Sequence, residues 1–209
     1  MKCKICEVRK PRRWCPGVRG DICSQCCGTE REVTVDCPFE CEYLQQAWQH
    51  EKPPQVAPEQ LPNRDIRLTD SFIREQEELI TVLGAILLEA AMEVSGAVDY
   101  DVREALEALI RTYRTLQSGL YYETKPENPL AFAIQQGFQQ RVQDMREKLV
   151  KNGRPSVRDA DVLGGLAFLQ RLGLQHDYGR RRGRPFLGFL RNLFPNMQPR
   201  EDPGSLIKI

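Results

Sequence analysis

The chain has 209 residues, 41% of them hydrophobic, and its 30 lysines and arginines nearly balance 29 aspartates and glutamates for a formal net charge of +1. That length holds one ordinary domain plus a small one, and the composition allows a buried core. Near-neutrality excludes a surface coated in positive charge for indiscriminate binding of polyanions, though not a local basic patch.

The first residues, Met1-Lys2-Cys3-Lys4, have no apolar run behind them, so no signal peptide is expected. The longest apolar stretch, Leu79 to Val94, is interrupted by Glu89 and Glu93 and is not expected to span a bilayer. A cytoplasmic protein without membrane contact is the expectation. In a reducing compartment eight cysteines are better explained by metal than by disulfides. All eight fall between Cys3 and Cys41.

They read as a pair Cys3-x2-Cys6, a single Cys15, a pair Cys23-x2-Cys26 with Cys27 adjacent, and a wider pair Cys37-x3-Cys41. A two-residue spacer lets one tight turn present both thiolates to a tetrahedral ion, and two such pairs close a structural site. An interleaved division is favoured. Cys3, Cys6, Cys23 and Cys26 would hold one zinc, and Cys15, Cys27, Cys37 and Cys41 a second. A sequential division, or one ion with spare thiols, is the alternative. His50 could replace Cys15 or Cys27 as a ligand. The expected cofactor is thus zinc, about two ions per chain, supplying most of the folding free energy of residues 1–52.

This cysteine-rich segment resembles the small cross-brace, treble-clef-like zinc fingers, B-box and MYND-like in style, over residues 3–50. Cys37-Pro38-Phe39-Glu40-Cys41, followed by a helical Glu42 to His50 with Trp48, is similar to the end of a MYND finger. The final cysteine after the histidine is missing, and Cys15 is isolated. The resemblance implies a protein- or peptide-binding role.

A linker is expected at 53–68, because four prolines between Pro53 and Pro62 deny helix and favour an extended spacer. From 69 to 194 the pattern changes to helical periods, predicting an all-α bundle of about five helices. The first runs from Asp70 to about Val94, capped by Thr69 or Asp70, with Phe72, Leu79, Leu83, Ile86, Leu87 and Ala90 inward. The second starts at Asp99 or Asp101 and ends at Gly119. The third opens at Asn128-Pro129 and stops at Asn152-Gly153. A fourth starts at Ser156 with Asp159, and a short fifth covers Pro185 to Phe194. Residues 195–209 read as a tail. The bundle could also support a homo-oligomer.

Two basic clusters suggest nucleic acid. Arg9, Lys10, Arg12 and Arg13 precede Trp14 between two cysteines, a combination that could grip phosphate and stack on an unpaired base. The competing explanation is that these cations compensate thiolate centres of formal charge about −2 each, with Trp14 as a small core. Arg182-Gly183-Arg184-Pro185 matches the AT-hook tetrapeptide, although an interhelical turn with Pro185 opening the next helix explains it better. Two histidines, and no nucleophile elbow, phosphate loop or dinucleotide fingerprint, argue against an enzyme. The reading is a zinc-binding, non-enzymatic regulatory protein whose module contacts DNA or RNA. The alternative is a protein-interaction adaptor.

Overall fold

The computed structural model describes residues 1–119 and 122–195. The tail, beyond Pro195, therefore lies outside the described residues.

The cysteine-rich segment builds a two-stranded hairpin and two short helices. Strands β1 (Arg13–Cys15) and β2 (Gly20–Ile22) pair antiparallel with Trp14 opposite Asp21 and Cys15 opposite Gly20. Helices α1 (Ser24–Glu30) and α2 (Glu42–His50) follow. Three-residue strands are too short to leave an alternation that sequence periodicity can detect, so the hairpin was not foreseen. The buried aliphatics here are few: Ile22, Val35 and Leu44.

After the linker come α3 (Asp70–Glu75), α4 (Glu77–Met92), α5 (Asp99–Gln117), α6 (Pro129–Lys151), α7 (Asp159–Leu174) and α8 (Pro185–Leu193). The expected count of about five is thus corrected to six, because the first helix breaks at Gln76 (φ −107°, ψ 16°). The break lays the Phe72 ring on Gly164 of α7, where an added Cβ would stand 2.2 Å from it. Several expected caps are present. Thr69 Oγ1 accepts the Phe72 amide at 3.1 Å, and Asn128 Oδ1 accepts that of Leu130 at 3.0 Å ahead of Pro129. The fourth start is corrected from Ser156 to Arg158, which caps α7 without a side-chain bond. Gly119 and Gly153 adopt the left-handed φ that ends α5 and α6.

Helix α5 is central, packed on α6, α7 and α8, while α4 closes the other side against α6 and α7. Leu83, Leu87, Leu106, Leu109, Ile134, Phe138, Leu166 and Phe186 are fully buried where these helices meet. No described helix is long and apolar enough to cross a membrane.

The proline-rich stretch does not run free into the bundle. Asn63 and Ile66 accept from Arg171 of α7 through their carbonyls, and Asn63 and Asp65 accept from Arg114 of α5. The module itself also touches the bundle. Arg180 pairs with Glu32 and Glu51, Arg184 with Asp36, and Arg191 with Glu40. Trp48 of α2 lies over Gly188 of α8, where an added Cβ would stand 2.4 Å from the indole.

Candidate metal centre

The first thiol set converges from two separate pieces of chain, joined by the hairpin. Cys3 and Cys6 flank a tight turn closed by the Glu7 amide donating to the Cys3 carbonyl at 2.8 Å, with Glu7 left-handed at φ 55°. This turn is fixed to the hairpin by the Lys4 amide on the Asp21 carbonyl (2.9 Å) and by Lys4 Nζ on the Val18 and Arg19 carbonyls. The hairpin then delivers Cys23 as N-cap of α1, its sulfur accepting the Cys26 amide at 3.4 Å. The Cys23 amide in turn donates to Cys3 Sγ at 3.2 Å.

The four sulfurs of Cys3, Cys6, Cys23 and Cys26 all lie within 4.8 Å of one another. A tetrahedral ion with bonds of about 2.3 Å needs sulfurs about 3.8 Å apart, so the cage is of the right size. Its donor set is thiol only, with backbone amides aimed at sulfur. Burial acts to raise the Cys3 thiol, but the amides of Cys6, Cys23 and Ile5 outweigh it and bring it to about 6. Burial and the neighbouring thiols push Cys26 up to about 12. A divalent cation resolves that conflict by accepting all four as thiolates.

The other four cysteines lie in the same part of the module. Cys15 sits on β1, Cys27 on α1 beside Cys26, and Cys37 and Cys41 before α2. Cys15 and Cys37 are buried, Cys27 and Cys41 half-buried, and all four join one apolar cluster with Ile22, Val35 and Leu44. The hairpin tip approaches the Cys37 strand closely: a Cβ on Gly17 would stand 2.4 Å from the Asp36 carbonyl, which only glycine permits. Burial pushes Cys37 up to about 11, the Glu32 amide works against this, and Cys41 and Cys15 reinforce it. Among the described residues, only the first set forms a group with every ligand atom within 4.8 Å. His50 is exposed on the last turn of α2, about 13 Å along the helix axis from Cys41.

The basic residues divide. Arg9 is exposed, and the nearby sulfur of Cys23, with those of Cys6 and Cys26, raises its guanidinium above its ordinary value although burial opposes it. Arg13 donates to Cys27 Sγ at 3.6 Å and stacks 3.8 Å over the Tyr43 ring. Arg31 reaches the same sulfur at 3.7 Å. Arg13 and Arg31 therefore both face the Cys27 sulfur. Lys10 and Arg12 stay exposed, and Trp14 is 60% exposed, which removes it from the module core.

Arg184 is a correction to the nucleic-acid residues expected from sequence. It is buried, donating to the Ala97 and Cys37 carbonyls and to Asp36, so it cannot line a groove. Arg182 keeps an exposed side chain while its amide donates to the Glu32 carbonyl at 2.7 Å. Sequence reasoning missed Glu32 itself, a fully buried carboxylate that joins module and bundle. Nothing in Arg31-Glu32-Val33 marks it, because its partners lie about 150 residues away. Comparisons with protein-family models, curated proteins and solved structures return no match to this chain.

Proposed function

We propose a non-enzymatic zinc protein in which two thiolate-held ions rigidify the module and the hairpin presents a contact for single-stranded nucleic acid. The metal reading is carried by the tetra-thiol cage, whose closed donor set leaves no open coordination position for chemistry. The interleaved second site is supported by Cys15, Cys27, Cys37 and Cys41 sharing one cluster with Ile22, Val35 and Leu44, with two arginines on Cys27. Elemental analysis of reduced protein is expected to give about two zinc ions per chain. One ion would remove the second site, and a brown sample would replace zinc by iron–sulfur chemistry.

The nucleic-acid reading is supported by one observation. Trp14 projects from a hairpin fixed at both ends, beside exposed Arg12 and Lys10 that the thiols do not use. An indole on a rigid support loses little entropy when a base stacks on it. Trp14→Ala should weaken single-stranded binding by about 1–3 kcal/mol. Arg12→Ala should flatten the salt dependence by roughly one phosphate contact. Zinc content is measured alongside. Unchanged titrations of short DNA and RNA oligonucleotides at low salt, with zinc intact, would refute this contact.

A protein-interaction reading is favoured instead by a groove of about 630 Å³ between α2 and α8, lined by Phe39, Trp48, His176, Tyr178 and Phe189. A partner seated there would bind with little dependence on salt, which distinguishes the two readings.

A further inference from the structure

We propose that metal loading of the module locks the segment Arg180–Arg184 and the start of α8 onto the bundle, with Glu32 as the transmitting residue. Loaded protein keeps Arg180 and Arg184 of this run paired and out of solvent, and metal-free protein releases them. The inference rests on the second-site reading above.

Glu32 lies midway between two residues of the second thiol set. Its turn is closed by the Glu30 carbonyl, which accepts the amides of Val33, Thr34 and Val35. Its amide lies near the Cys37 thiol and works against the burial that raises it. Its φ is 55°, a left-handed conformation that a glutamate holds only when its surroundings impose it. Metal at Cys27 and Cys37 pins both ends of this turn.

Outward from the turn, Glu32 is 1% exposed and fully engaged. One carboxylate oxygen accepts the Arg184 amide at 2.9 Å. The other accepts Trp48 Nε1 and the Arg180 guanidinium, both at 3.1 Å. Its main-chain carbonyl accepts the Arg182 amide. One residue thus ties down alternate positions 180, 182 and 184, immediately ahead of α8.

Every carboxylate that neutralises this run belongs to the module: Glu32 and Glu51 pair with Arg180, and Asp36 pairs with Arg184. Among the described residues Arg181 and Arg182 have no carboxylate partner. When the metal leaves, the turn loses its anchors and Glu32 loses the geometry that places it. The Arg184 amide and Trp48 N–H then lack their acceptor in a buried setting, a state relieved only by opening the seam to water. Arg180 and Arg184 then join the exposed Arg181 and Arg182 without their counter-charges.

The test uses the full chain with Trp14→Phe, which leaves Trp48 as the sole tryptophan and a reporter of the seam. Hydrogen exchange and emission are recorded with zinc and after a strong chelator, with metal content measured on the same samples. Amides of Arg182 and Arg184 should exchange about tenfold faster without metal, while those of α5 and α6 hold and Trp48 emission moves to the red. Zinc-loaded Glu32→Gln should reproduce the faster exchange at Arg184, because its amide nitrogen faces donors. Unchanged exchange at Arg182 and Arg184 after chelation, with module amides unprotected, overturns the proposal. So does Glu32→Gln with zinc intact and Arg184 exchange unaltered. One zinc per chain would refute the second site alone, and the response of Arg182 and Arg184 to its removal would still decide the coupling.

Discussion

Cys26→Ser is expected to release about one equivalent of zinc and unfold the hairpin, whereas Ser24→Ala in the same turn leaves both intact. The magnitudes favour a large effect. Three fully buried aliphatics, at about 1.5–3 kcal/mol each, cannot offset an ordering cost of about 1–2 kcal/mol per residue over this segment. Structural zinc supplies about 10–16 kcal/mol, so the ion is the dominant stabilising term. Cys26 is buried at the centre of the tetra-thiol cage and its amide caps onto Cys23, so a serine there removes a ligand without a substitute nearby. Ser24 is exposed and touches no sulfur among the described contacts. The measurement is zinc content with far-ultraviolet circular dichroism. Retention of all metal by Cys26→Ser would sink the assignment of the first site. Cys15→Ser and Cys27→Ser should each release the other equivalent. If one of them is silent, His50→Ala should release it instead.

The second large effect is on pH dependence. Asp99 opens α5 and accepts the amides of Phe186 (2.7 Å) and Leu187 (3.1 Å), so it also caps α8. Burial raises its pKa to about 7, the two amides oppose this, and Glu32 adds to the rise. A carboxyl that binds its proton more tightly when folded contributes stability that is fully present below the unfolded value of about 3.9 and is lost as pH rises through 7. The full shift corresponds to about 4 kcal/mol, but Asp99 is only half-buried by area and water screens part of it. Wild type should therefore lose about 2 kcal/mol relative to Asp99→Asn between pH 5.5 and 8, or about 4–8 °C in melting temperature. His176, whose pKa burial lowers, acts with the opposite sign in both proteins and cancels in the difference. A wild type that gains on the variant over this range would mean that the α8 amides outweigh burial.

Some of this was determined by sequence alone because the cause is local. Eight cysteines confined to residues 3–41, four of them in pairs with a two-residue spacer, point to a candidate metal site, since spacing within a turn decides whether two sulfurs face one ion. The helix starts at Thr69 and Asn128 and the stops at Gly119 and Gly153 follow from side-chain caps and left-handed glycines, which act within a turn. The division of the first ligand set was also legible, because its two pairs alone have the same short spacer.

What the tertiary structure decided depends on residues far apart in sequence. Trp14 could have been a core residue or a surface one, and only the hairpin, with Cys15 turned inward, puts it outside. Arg9, Arg12 and Arg13 look alike as a basic run, yet packing turns Arg13 onto the Cys27 sulfur and leaves Arg12 to solvent. Arg184 reads as half of a DNA-binding tetrapeptide until the seam buries it against Asp36 and Ala97. Glu32 carries no local signal at all. Its role exists only because chain folding brings Arg180, Arg182 and Arg184 to a carboxylate that could not otherwise be buried without partners.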